Sequence, residues 1–206
     1  NISRNGDLLS DVYFLYDADG TTPGVAPFEE VQLFIGGQKI DTITREENVA
    51  CAQVFRPRMS SQFLTASTID GVAGSHSLQF FFGRGYSCAL PMCALQYHDI
   101  TLRIKWKTAF AGSIYGDFVQ LDTQERNVFA SKPITMLVEQ HQRTPFSVPA
   151  GTGSSYTSLE FSHPVKAIYT SNVYATGNID TPALGYPVDS KMKIEFNGKT
   201  RTPSLP

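Results

Sequence analysis

The sequence predicts an all-β, jelly-roll-like sandwich, and three observations carry that expectation. The composition holds 14 Phe, 9 Tyr, 16 Gly and 12 Pro in 206 residues, so strand formers and turn formers run high together. Ile100, Leu102, Ile104 and Trp106 alternate with Thr101, Arg103, Lys105 and Lys107, which is how a strand with one buried and one wet face reads. Some eight or nine short apolar runs recur at regular spacing without any βαβ alternation, which disfavours a parallel sheet.

In chain order, Leu8 to Tyr16 reads as a strand, ended by Asp17-Ala18-Asp19-Gly20 and a loop through Pro23 and Pro27. Val31, Leu33 and Ile35 alternate with polar or outward positions, and Gly36-Gly37 makes a two-residue turn into Gln38–Asp41. Thr44 with Glu47 three residues on matches a capping box, predicting a short helix to about Phe55 that Pro57 stops. No other helix is expected. Further strands are read at Ser77–Phe82, at 99–107, at Phe118–Leu121 and at Ile134–Gln142. Asp122–Arg126 reads as a polar turn closed by a local carboxylate–Arg126 pair, and Ser147–Ser155 as loop. Leu159–Phe161 and Val165–Tyr169 flank His163-Pro164, where proline removes a ladder donor and implies a bulge or an edge. Tyr174–Pro187 is a Gly/Pro-rich connector. Met192, Ile194 and Phe196 then lead into Asn197-Gly198, a strong hairpin signal with almost no return arm. Val31–Gln38 and Met192–Lys199 share one pattern of alternating strand, tight turn and polar residue, an internal echo. The abrupt opening at Asn1 and the one-armed hairpin predict a fragment of something longer.

Charge excludes more than it names. The formal net charge is -2 with 17% charged residues, so no basic face is large enough to hold a nucleic-acid backbone. No run of about 20 apolar residues offers a membrane-spanning helix. Cys51, Cys88 and Cys93 are three cysteines with no repeated CxxC; reduced thiols in a core, in a cytosol-like compartment, are the simple reading.

The motifs for chemistry are weak. His76, His98, His141 and His163 are scattered without an HxH or HxxxH pair, so no metal site is expected. His98-Asp99 are strand neighbours that face opposite sides, and His163 is expected to satisfy backbone groups at a bulge. The two carboxylates of Asp122–Arg126 fit a turn better than a glycosidase pair. Gly83-Arg84-Gly85 lacks the helix and lysine of a phosphate loop, and no G-x-S-x-G elbow occurs. Asn1-Ile2-Ser3 fits a glycosylation sequon. No catalytic, cofactor-binding or metal-binding residue is nominated.

Six blocks follow one another in order: Ile2–Leu8 (ISRNGDL), Ile35–Asp41 (IGGQKID), Ala89–Asp99 (ALPMCALQYHD), Leu121–Arg126 (LDTQER), Val138–Gln140 (VEQ) and Phe161–Lys166 (FSHPVK). Together they closely resemble the major capsid protein of the nucleocytoplasmic large DNA viruses, of phycodnavirus and iridovirus type, over nearly the whole chain. The resemblance implies a double jelly roll, with residues 1–187 as the first roll, lacking its first strand, and 188–206 as the connector and start of the second. It implies a structural, non-enzymatic role: a homotrimer forming a six-cornered capsomer, packed with neighbouring capsomers and minor capsid proteins into an icosahedral shell over an internal membrane. It implies no direct nucleic-acid binding, and assembly in the host cytoplasm into the virion capsid. Departures are a missing tryptophan in Thr42–Ala52, a different glycine-rich loop at Gly83–Cys88, and short loops at 108–117 and 150–157 that leave little room for an outward tower. Two rivals stay open from the residues: a single-roll penton or minor capsid protein, and a carbohydrate-binding sandwich using loop tyrosines Tyr86, Tyr115, Tyr156 and Tyr174. A metal-dependent jelly-roll enzyme is a third.

Overall fold

The computed structural model describes residues 1–17, 28–48, 51, 72–107, 112–147, 154–168 and 193–201. The chain divides into two units, Asn1–Ile168 and Tyr169–Pro206. The predicted loop at 18–27, the end of the helix near Phe55 and the connector at 174–187 fall outside the described residues.

The larger unit holds two antiparallel sheets. In the first, β1 (Leu8–Asp17) is flanked along one edge by β7 (Gly112–Val119), and on the other by β4 (Val72–Ser77) and β5 (Leu90–Pro91). The second has the order β3-β2-β6, with β2 at Phe28–Ile35, β3 at Gln38–Thr44 and β6 at Ile100–Trp106. Leu9, Val12 and Phe14 of the first sheet share one buried cluster with Phe28, Val31, Leu33, Ile43 and Ile100 of the second. The ring of Phe14 lies 5.4 Å from that of Phe28 and 5.6 Å edge-on from Trp106, so three aromatics join the sheets.

Two register shifts make this burial possible. Simple alternation would send Val12 outward if Leu9 points in, and Val31 outward if Phe28 points in. The ladder slips between Leu9 and Asp11 against β7, and between Phe28 and Glu30 against β6. Each extra residue resets the phase, so all four side chains reach the core.

The Gly36-Gly37 turn forms as expected, with both residues at positive φ (58° and 80°) and Ile35 paired to Gln38. A Cβ on Gly36 would lie 2.6 Å from His98 Nδ1, whereas one on Gly37 meets nothing within 4 Å. Gly36→Ala is therefore expected to cost about 1–3 kcal/mol and Gly37→Ala about 1, read as thermal midpoints. Equal losses at the two positions would rule out the His98 contact as the cause.

Thr44 caps the helical residues 45–48: its N–H donates to Glu47 Oε2 (2.9 Å) and its hydroxyl accepts from Glu47 N–H (3.4 Å). Other expectations need correction. A second helix, α1, occupies Thr123–Ser131 where a turn was predicted. Its capping box is Asp122 with Glu125, but its first five residues are polar and its apolar ones, Val128, Phe129 and Ala130, are consecutive, so no apolar stripe at helical spacing announces it. Arg126 does not close a local turn; it pairs with Asp7 at 2.8 Å. The strand read at Ser77–Phe82 instead ends at Ser77, and Phe81–Arg84 forms a 3-10 turn. A strand buries alternate residues, yet Leu78, Gln79, Phe80, Phe81 and Phe82 are all buried. Leaving the ladder lets five consecutive side chains turn inward.

β7 begins at Gly112, so 112–117 is strand rather than loop and extends the expected Phe118–Leu121 strand backwards. Residues 133–147 and 154–168 carry no strand, contrary to the expectation at Ile134–Gln142, Leu159–Phe161 and 165–168. Side chains, not a backbone ladder, hold the former segment beside β3: Gln140 donates to the Ile40 carbonyl, and Asp41 Oδ1 accepts the His141 N–H at 2.8 Å.

The smaller unit is described over its hairpin. β8 (Glu195–Phe196) and β9 (Lys199–Thr200) are joined by Asn197-Gly198 at φ 50° and 72°. The internal echo with Val31–Gln38 thus extends to the turn geometry.

Candidate functional site

The six sequence blocks gather into two hydrogen-bonded knots. In the first, Arg4 donates to the carbonyls of Gln96 (2.6 Å), Leu95 (2.8 Å) and His98 (3.3 Å), stapling the turn that presents Tyr97. Asp7 accepts from Leu121 N–H and from Arg126, both at 2.8 Å, while its carbonyl accepts from Cys93 N–H. The Arg126 guanidinium, and then the Leu121 amide, hold the Asp7 carboxyl below its usual range. Burial, with the Asp7 charge adding to it, pushes the Cys93 thiol up. Blocks one, three and four are thereby tied together.

The second knot joins blocks two, five and six. Glu139 bridges Arg84 and Lys166. Asp41 Oδ2 lies 2.8 Å from His141 Nδ1, and His141 Nε2 lies 3.5 Å from Cys51 Sγ. Burial alone would lower His141; the hydrogen bond it donates to Asp41, helped by Cys51, outweighs it and lifts the pKa to about 10. The imidazole is therefore a cation at neutral pH, pinned to a buried carboxylate.

Asp41, His141 and Cys51 stand in the order of an orienting acid, a base and a nucleophile. The thiol, however, is 1% exposed, so a substrate carbon has no approach to it. Asp41 also takes the His141 backbone N–H, which ties a chain segment to a sheet edge. The arrangement works as a latch.

Spacing along the sequence does not reveal this cluster, because its three residues come from three separate segments and His141 has no ligand-spaced neighbour. His98 instead packs on Gly36 and is exposed, and the next residue, Asp99, lies 3.8 Å from Arg4. His163 is exposed. The cysteine expectation holds for buried Cys51 but not for Cys88, which is exposed. Among the loop tyrosines, Tyr86, Tyr115 and Tyr156 are all exposed, but Tyr115 lies on β7 and stacks on Tyr13 at 5.6 Å. Tyr174 lies outside the described residues. No group of three His, Cys, Asp or Glu among the described residues is placed to hold a metal ion. Among them, too, no helix is long and apolar enough to cross a membrane.

The surface carries apolar features of another kind. An open groove of about 510 Å3 runs between the Leu90–Tyr97 turn and the Phe129–Val138 stretch, with Lys132 as its cation. Leu137 beside it is 88% exposed. Such exposure of large apolar groups marks contact surfaces rather than chemistry.

Comparison with known proteins agrees. The family model described as "Major capsid protein N-terminus" matches residues 1–132. The chain is 32% identical to the major capsid protein of Paramecium bursaria Chlorella virus 1, over 80% of this chain and 46% of that one. It is 30% identical to the major capsid protein of Pyramimonas orientalis virus, over 97% and 57%. The structure matches a quasi-atomic model of the PBCV-1 virus capsid with a TM-score of 0.54 and 30% identity, covering 68% of this chain and 41% of that one. The chain thus spans about half the length of these relatives. A two-sheet β unit, blocks that knot segments instead of forming an accessible reactive site, and a family model covering residues 1–132 lead to one conclusion: the chain belongs to the major capsid protein family of the large DNA viruses.

Proposed function

We propose that this chain is part of the subunit that tiles a large icosahedral DNA-virus capsid, and that its work is mechanical rather than catalytic. The observation that carries the reading is the family match over residues 1–132, combined with blocks whose polar residues bind one another. Three copies of the full-length protein form a threefold capsomer, which packs against neighbouring capsomers and minor capsid proteins in the virion. Residues 1–187 serve as the first jelly roll and 188–206 lead into the second. The Asn197-Gly198 hairpin, repeating the geometry of Gly36-Gly37, supports a repeated module. No cofactor, metal or nucleic acid is required, and assembly takes place in the host cytoplasm.

Obligate capsid contacts bury about 2,000 Å2 or more per interface, and closed threefold symmetry needs complementary flanks on every copy. Light scattering on the full-length protein after size exclusion is expected to give a trimer. A stable monomer at micromolar concentration would count decisively against the tile.

A further inference from the structure

The groove between the Leu90–Tyr97 turn and the Phe129–Val138 stretch has a chemistry that fits one kind of occupant. Its volume of about 510 Å3 lies within the range of small-ligand clefts, about 300–1,000 Å3. Phe81, Leu90, Leu95, Phe129, Ile134 and Met136 line it, so its surface is mainly apolar.

Its walls offer little to a peptide backbone. The Cys93, Ala94 and Leu95 amides already donate to the carbonyls of Asp7, Pro91 and Met92, and the Leu95 and Gln96 carbonyls accept from Arg4. Pro91 on one wall and Pro133 on the other have no N–H to give. An extended peptide docks by main-chain hydrogen bonds, and a buried backbone group left without one is costly. An alkyl chain makes no such demand.

The charge at the groove is one-sided. Lys132 lines it, whereas no Asp or Glu does among the described residues. No ion pair among those residues includes Lys132. It follows the C-terminal end of α1, and its full charge exceeds the negative charge of a helix end, about half a unit. An anionic head is attracted here, and a cationic one is repelled.

We propose that this groove binds one single-chain carboxylate amphiphile, its alkyl chain between Leu95 and Met136 and its carboxylate at Lys132. The ligand class is a medium- or long-chain fatty acid, monomeric in solution. The inference goes beyond the capsid reading and does not depend on it.

Calorimetric titration of the full-length protein with octanoate, decanoate and dodecanoate, each below its micellar concentration, tests it. Saturable binding of one molecule per chain is expected, tightening about four-fold with each added methylene. Lys132→Glu should weaken dodecanoate about ten-fold and leave dodecanol unchanged. Ala94→Trp, which fills the groove from an exposed turn position, should abolish the binding of both. Heat without saturation, or binding that ignores both substitutions, means general surfactant adsorption and overturns the proposal. Dodecanol binding the wild type as tightly as dodecanoate overturns it as well. So does a full-length protein that takes up no dodecanoate, because polypeptide then covers the groove. Should Ala94→Trp not fold, the response of dodecanoate and dodecanol to Lys132→Glu still decides, because Lys132 is exposed.

Discussion

Asp41→Asn is expected to destabilise the chain strongly at pH 7 and far less at pH 10. The cause is the His141 imidazolium, whose folded pKa of about 10 stands above its ordinary 6.5 because Asp41 binds it within a buried site. A group with a raised folded pKa stabilises fully below the unfolded value and loses that contribution as pH rises through the folded one. The window here is pH 6.5 to 10. At 1.36 kcal/mol per pKa unit, the full effect is up to about 5 kcal/mol. Asparagine keeps the shape and an acceptor oxygen but not the charge, so the buried cation loses its partner. Denaturant titrations at both pH values check this. A gap between wild type and variant that is equal at pH 7 and pH 10 would sink the ion-pair account. The wild type alone should also lose stability across that window, and the Asp41→Asn chain should not.

Phe14→Ala should cost about 3–5 kcal/mol, the range for truncating a fully buried aromatic. Phe14 is central on β1 and touches Phe28 and Trp106, so its removal opens a cavity between the sheets that neither neighbour can fill without leaving its own ladder. A domain of this size loses about 2–4 °C per kcal/mol, so the midpoint should fall by roughly 10 °C. Tyr86→Ala is the control: the ring is 79% exposed, and a change within about 0.5 kcal/mol is expected. A Phe14→Ala loss no larger than the Tyr86→Ala loss would mean that the two sheets do not share a core.

Both predictions depend on groups of very different legibility. Phe14 could be read as an apolar residue within a strand, but its inward direction could not. Leu8, Leu9 and Val12–Tyr16 put apolar or aromatic residues on both faces, so the pattern selects neither, and the ladder slip after Leu9 puts Val12 and Phe14 inside. A bulge leaves no local residue signature here. The Asp41–His141–Cys51 latch was wholly invisible, since pairwise spacing along a chain does not report which distant elements share an edge. The helix at Thr123–Ser131 was a different kind of miss. Its capping box was present as Asp122 and Glu125, yet propensity without an apolar face gave the eye nothing to follow.

By itself the sequence determined the all-β class, the two glycine-containing hairpin turns, the Thr44 capping box and the family that six ordered blocks spell out. Those properties rest on local physics or on residue identity: a type I′ turn needs positive φ wherever it sits, and alternation marks a half-buried strand in any fold. Tertiary structure decided which segments left the ladder, where the phase shifted, and what the blocks do. Leu78–Phe82 all turn inward because a core between two sheets has to be filled; residues 133–147 lie beside β3 held by side chains because Asp41 and Ile40 happen to face them. Burial and partnership across a hundred residues are properties of the packed chain, and only packing could assign them.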